Sequence, residues 1–161
     1  MRDRARIISV IPVYNGKRFI RATLDSLAAQ TLRPDRVIVL DDASTDGTPE
    51  LVETYEPLKC ELIRSEQNEG LFFNFNKALS YATECDHLHY ICADDVLLPS
   101  FMEQMTAALT DAPAPSFSYC QPEFINKDGN QLDAKPSKPS AATYEVSANA
   151  LLAQHSECDS L

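Results

Sequence analysis

Arg36-Val-Ile-Val-Leu-Asp-Asp-Ala-Ser-Thr-Asp-Gly-Thr48 is the stretch whose reading decides the fold. Its apolar run is short and rich in β-branched residues, which fits a strand buried on both faces. Two carboxylates follow at once, then turn chemistry from Ala43 to Gly47, then Thr48-Pro49-Glu-Leu-Val-Glu53. That last segment starts a helix with a capping residue and a proline at the first helical position. The same strand, loop and helix grammar recurs on both sides. Upstream, Ile7-Ile-Ser-Val-Ile11 runs into Pro12-Val-Tyr-Asn-Gly16, and Ile20, Leu24 and Leu27 then recur at helical spacing until Pro34 closes the helix. Lys17, Arg18 and Arg21 are left for its wet face. Downstream come Cys60-Glu-Leu-Ile63 as a third strand and a helix carrying Phe72, Phe75, Leu79 and Ala82. His87-Leu-His-Tyr-Ile-Cys92 is a fourth strand that leads to Asp94-Asp95. A helix from Pro99 to Asp111 follows, with Phe101, Met105 and Ala108 turned inward. Parallel neighbours need crossover helices, so this alternation predicts a doubly wound, mostly parallel α/β sheet with helices on both faces. Ligands of such sheets bind outside the carboxyl ends of the strands, where both aspartate pairs fall.

The 161 residues are expected to form one domain, with a βα core over residues 1–111. Lysine and arginine number 14 against 24 acidic residues, a formal net charge of −10. That balance argues against nucleic acid or an anionic membrane surface as a general partner. An anionic ligand would need local help, most simply a divalent cation on some of the carboxylates. The five cysteines have no C-x-x-C spacing, which favours reduced thiols in a cytoplasmic setting. No apolar run reaches membrane-spanning length, although peripheral attachment to a membrane stays open.

After Asp111 the texture changes. Residues 112–115 read as a linker, residues 116–121 as an added strand, and Asn126-Lys-Asp-Gly-Asn130 as a hairpin turn. An exposed loop at residues 135–140 and a short helix at residues 147–155 complete the reading. No closing strand is evident, and a second copy of the chain could cover an unfinished sheet edge.

Four segments together resemble the successive motifs of family 2 glycosyltransferases, which have the GT-A fold. They are Val10-Ile-Pro-Val-Tyr-Asn15, Leu40-Asp-Asp-Ala-Ser-Thr-Asp-Gly-Thr48, Asn68-Glu-Gly70 and Ala93-Asp-Asp95. They cover roughly the first two-thirds of the chain, and their order and separation make the match specific where any one alone would be weak. An ionised carboxylate is acceptor-only and can take the imide N–H of a uracil ring, the role the resemblance implies for Asp42. The competing reading of Asp41 or Asp42 is a carboxylate that caps the loop or the next helix, a job Asp46 fits better. The resemblance also implies base contact by Tyr14 and by the carbonyl of Pro12, ribose contact by Asp94, and a metal on Asp95. Mg²⁺ or Mn²⁺ prefers hard oxygen donors, typically one or two carboxylates with phosphate oxygens and water. Asn68, Gly70 and Asn76 are further candidate donor contacts that the resemblance implies. The commonest family pattern has an Arg-Asn pair where this chain has Phe75-Asn76, with Lys77 beside it. Phe72, Phe73 and Phe75 at helical spacing read as core. His87 and His89 share a strand face but lie before the site, so they read as packing residues.

The resemblance implies an inverting, metal-dependent transfer of a sugar from a nucleotide-diphosphate donor, chiefly a UDP-sugar, to the hydroxyl of a saccharide or lipid-linked acceptor. Such enzymes serve cell-surface polysaccharide synthesis. The catalytic base is not identified, since Glu145 and Glu157 are candidates only by default. The alternative is therefore a truncated or inactive module that binds nucleotide-sugar without transferring it. A receiver-like phosphoacceptor domain is disfavoured, because receivers carry their acidic pair after the first strand and Asp94-Asp95 would be unexplained. The four glycines form neither a dinucleotide fingerprint nor a P-loop.

Overall fold

A computed structural model describes residues 4–113, 116–120, 122–126 and 130. The chain divides into two compact units, Met1–Thr110 and Asp111–Leu161. The first holds β1 (Ile7–Val13), α1 (Ile20–Ala28), β2 (Arg36–Asp41), α2 (Thr48–Glu53) and β3 (Cys60–Arg64). It continues with α3 (Leu71–Leu79), a 3₁₀ turn (Ser80–Glu84), β4 (His87–Tyr90) and α4 (Phe101–Leu109). The strands lie in the order β3-β2-β1-β4 and every pairing is parallel. This is the doubly wound sheet expected, with β1 running two residues further than its apolar run and β4 ending two residues sooner.

Burial on both faces explains the unbroken apolar strands. Ile11, Val13, Val37 and Val39 pack with Ile20, Leu24 and Leu27 of α1 and with Val52 and Tyr55 at α2. On the opposite face Ile8, Val10, Ile38 and Leu40 meet Ala78 of α3. The second layer is thinner, and it corrects the reading of α3. Phe72 is 68% exposed and Phe73 48%, as are Leu71 and Leu79 at more than half, while Asn74 and Ala78 are the buried positions. Phe75 is half-buried and stacks on Tyr90 with ring centroids 4.0 Å apart. A helix apolar nearly all round has no unique inward stripe, so pattern alone misjudged its phase. Helix α4 differs likewise, burying Met102 and leaving Ala108 exposed.

Pro12 is tolerated in the central strand because of where β4 ends. The carbonyl of Val10 faces β4, accepting the Ile91 N–H at 3.2 Å, while that of Val13 faces β2, accepting the Asp42 N–H at 2.8 Å. Alternation turns Pro12 to the β4 side, beyond the last pairing at Val10 and Tyr90. The missing N–H therefore costs no ladder bond, and the Pro12 carbonyl faces the gap that β4 leaves.

His89 is a packing residue, as read. Its Nδ1 lies 2.9 Å from Ser9 Oγ and its ring sits 5.5 Å from that of Phe101. The surface is only partly covered, yet burial lowers its pKa from 6.5 to about 4. A depressed histidine pKa favours the neutral form in the folded state. Its stability contribution is complete above pH 6.5 and is lost as pH falls towards about 4. Urea unfolding between pH 7.5 and 5 should show stability falling by up to about 1.4 kcal/mol per pH unit below 6.5. A flat wild-type profile, or an equal slope in His89→Gln, would refute it.

Of the turn expected at residues 126–130, the two end residues are described, and two hydrogen bonds join them. The Asn126 N–H donates to the Asn130 carbonyl at 2.8 Å, and the Asn130 N–H donates to Asn126 Oδ1 at 3.0 Å. Residues 116–120 form no strand. The loop at 135–140, the helix at 147–155, Glu145 and Glu157 lie outside the described residues.

Candidate functional site

Three loops leave the carboxyl ends of β1, β2 and β4 side by side, because β1 is paired with both other strands. The β1 loop carries Tyr14, 53% exposed, while Pro12 is buried behind it. Asn15 has a left-handed backbone, φ 51°, and clasps the β2 loop in both directions. Its N–H donates to Ser44 Oγ at 2.8 Å, and its Oδ1 accepts the Thr45 N–H at 2.9 Å. Gly16 permits the close turn: a Cβ there would fall 2.4 Å from Val13 Cγ2 and 3.7 Å from the Cβ of Ala93, on the β4 loop.

The first aspartate pair separates. Asp41 is fully buried and its Oδ2 accepts from the Ser44 N–H at 3.2 Å and from Arg64 Nε at 3.0 Å. Asp42, 3% exposed, turns to the start of α3, where Oδ1 accepts the Glu69 N–H and Oδ2 the Gly70 N–H, both at 2.9 Å. A carboxylate offers about four acceptor positions, so two remain for a ligand donor. The loop-holding role weighed for Asp42 is thus present, directed at Asn68-Glu69-Gly70 rather than at α2. Asn68 reinforces that loop through Oδ1, which accepts the Gly70 N–H at 3.0 Å. Asn76 is exposed on the second turn of α3.

Asp46 caps α2 as read. Its Oδ1 accepts the Thr48 N–H at 3.0 Å and the Thr48 hydroxyl at 2.5 Å, while Oδ2 accepts the Lys17 N–H at 3.0 Å. Burial works to raise its pKa, and these bonds outweigh it and hold the carboxyl below the ordinary aspartate value. Thr48, expected as the cap, is the capped residue instead.

Asp94 and Asp95 are exposed on a turn closed by the Asp95 N–H, which donates to the Cys92 carbonyl at 3.2 Å. One donor atom from each of Cys92, Asp94 and Asp95 lies within 4.8 Å of the others. Partial burial and the adjacent Asp94 charge raise the Asp95 carboxyl above its ordinary range. Burial, then Asp95 and Asp94, push the Cys92 thiol up as well. Two hard oxygen donors whose charges oppose each other suit a divalent cation, which would relieve that repulsion.

Three positioning residues escaped the sequence reading. Thr23 and Gln30 of the α1 segment hold the β4 loop: Thr23 Oγ1 donates to the Ala93 carbonyl at 2.8 Å, and Gln30 Nε2 to the Leu98 carbonyl at 2.8 Å. Gln30 Oε1 also accepts the Met102 N–H at 2.9 Å. Thr23 falls on the inward stripe with Ile20, Leu24 and Leu27, which was the available signal, whereas Gln30 lies two residues beyond the end of α1. The third is Arg64, whose register partner is Asp41.

Loops at the carboxyl edge of a parallel sheet, here carrying a buried carboxylate and an exposed acidic pair, are where ligands of open α/β folds bind. The chain belongs to glycosyl transferase family 2, whose pattern matches residues 9–149. Among its relatives, TuaG of Bacillus subtilis is 28% identical over 142 residues, covering 86% of this chain and 56% of that protein. Rv1520, an uncharacterized protein of Mycobacterium tuberculosis, is 31% identical over 92% of this chain and 44% of its own. The chain therefore spans about half the length of these relatives. TarS 1–349 of S. aureus, solved in complex with UDP-GlcNAc, superposes with a TM-score of 0.58 at 30% identity, over 65% of this chain and 31% of that one. The mannosyltransferase PcManGT from Pyrobaculum calidifontis, solved with GDP-Man and Mn²⁺, gives 0.57 at 32%, over 68% and 33%. The fold is thus the GT-A arrangement the motifs implied. No described helix is long and apolar enough to cross a membrane.

Proposed function

We propose that this chain forms the donor-binding part of an inverting, metal-dependent glycosyltransferase that uses a UDP-sugar and an acceptor hydroxyl. The observation that carries the reading is the placement of Asp42 and Asp94-Asp95 on the β2 and β4 loops, which flank the β1 loop with Tyr14 and the Pro12 carbonyl. Asp42 accepts the imide N–H of the base, and the exposed Tyr14 ring covers its face. Asp94 takes the ribose hydroxyls. Asp95 holds Mg²⁺ or Mn²⁺, which would offset the charge that develops on the departing diphosphate. Asn68 and Gly70 keep the α3 end of the pocket in place through Asp42, and Asn76 is a contact from the next turn. TarS with UDP-GlcNAc and PcManGT with GDP-Man and Mn²⁺ support nucleotide-sugar binding on this fold.

Calorimetry of the full chain with UDP and GDP, each with and without Mn²⁺, tests the reading. UDP should bind at least about tenfold more tightly with Mn²⁺, a gain of about 1.4 kcal/mol. Equal affinity with and without metal would overturn the metal assignment, and preference for GDP the uridine assignment. Transfer from UDP-sugars to a panel of saccharide and lipid-linked acceptors then separates a transferase from a donor-binding module.

A further inference from the structure

Between Asp41 and Ser44 the chain makes a constrained turn. Ala43 has φ 63°, a left-handed conformation that side chains other than glycine rarely adopt. Such a residue relaxes unless both flanks are held. Arg64 holds both: Nε donates to Asp41 Oδ2 at 3.0 Å and an Nη to the Ser44 carbonyl at 3.1 Å. The two residues thus gripped bracket Asp42 and Ala43. Asp41 is 0% exposed, and among the described residues Arg64 is the cation paired with it. The Arg64 side chain is itself 49% exposed, so its two bonds are not a by-product of a packed core. Ser44 carries the restraint onward, since its Oγ accepts the Asn15 N–H beside Tyr14.

We propose that Arg64 is a positioning residue for the donor base, acting through Asp41 and Ser44 to fix the direction of the Asp42 carboxylate. This rests on the reading of Asp42 given above. The guanidinium is suited to the task because its planar fork directs two N–H groups at two different acceptors at a fixed angle. A lysine ammonium keeps the charge beside Asp41 and lacks that fixed fork.

A double-mutant cycle separates positioning from general support of the fold. UDP affinity in the presence of Mn²⁺ is measured by calorimetry for the wild-type chain, Arg64→Met, Asp42→Asn and the double variant, with thermal unfolding of each. If Arg64 acts through Asp42, Arg64→Met weakens UDP about tenfold in the wild-type background and less than about twofold beside Asp42→Asn, the non-additivity of coupled residues. Arg64→Lys should lie between wild type and Arg64→Met. It also carries the same cycle if Arg64→Met fails to fold. Equal weakening in both backgrounds, or unchanged affinity in Arg64→Met, overturns the proposal while leaving Asp42 as the base contact. Unchanged affinity in Asp42→Asn overturns the reading of Asp42 itself.

Discussion

Asp95→Ala is expected to abolish the Mn²⁺-dependent part of UDP binding, making affinity with and without the metal the same. Divalent ions of this kind are held by one or two protein carboxylates and complete their shell with phosphate oxygens and water. Losing the one carboxylate assigned to the ion therefore removes most of what the protein contributes. The same substitution should leave stability unchanged or improved. Asp95 is pushed above its ordinary pKa by partial burial and by Asp94, so its charged form is disfavoured in the folded chain. Calorimetry with a parallel thermal melt distinguishes these effects. A metal-dependent gain that survives in Asp95→Ala would place the ion elsewhere.

Asp42 should behave in the opposite way, with binding and stability falling together. Its two oxygens satisfy the N–H groups of Glu69 and Gly70. Asp42→Ala leaves the Glu69 N–H without that partner, while the Gly70 N–H keeps Asn68 Oδ1, so the loss should be at most about 1–3 kcal/mol. Asp42→Asn keeps the shape but turns one acceptor into a donor, set against an N–H of the chain or of the base. A hydrogen bond to a charged group contributes about 1.5–3 kcal/mol, so UDP affinity should drop by about 10- to 100-fold in Asp42→Asn. Urea unfolding and UDP titration of both variants check the pair of effects. Normal UDP affinity in a folded Asp42→Asn variant would show that the carboxylate serves only the Asn68-Glu69-Gly70 loop.

The central strands were legible because burial on both faces writes itself as an uninterrupted apolar run. Residues 7–11 and 36–40 could hardly be anything else, and each aspartate pair is placed by the strand before it. Asp46 was legible for a local reason, since an acidic residue two positions before Thr48 reaches its N–H. Helix α3 was not. Leu71, Phe72, Phe73, Phe75, Ala78 and Leu79 surround it with apolar side chains, and the positions it buries are Ala78 and the polar Asn74. That residue is 1% exposed, with its Nδ2 donating to the Gly70 carbonyl at 3.0 Å. Arg64 and Gln30 were hidden because their partners lie 20 to 72 residues away in sequence. A contact between distant polar residues leaves no periodicity to read.

The bonds from Thr23 of α1 and from Gln30 just beyond it tie this segment to the β4 loop about 70 positions later. A helix turns by about 100° per residue. Inserting or deleting one residue inside α1 after Thr23 would leave every aspartate unchanged, yet rotate the helix end that leads to Gln30 relative to Thr23. Tolerance to insertion in this helix is therefore set by angle as well as by burial, and the anchoring segment contains none of the residues proposed to touch the donor.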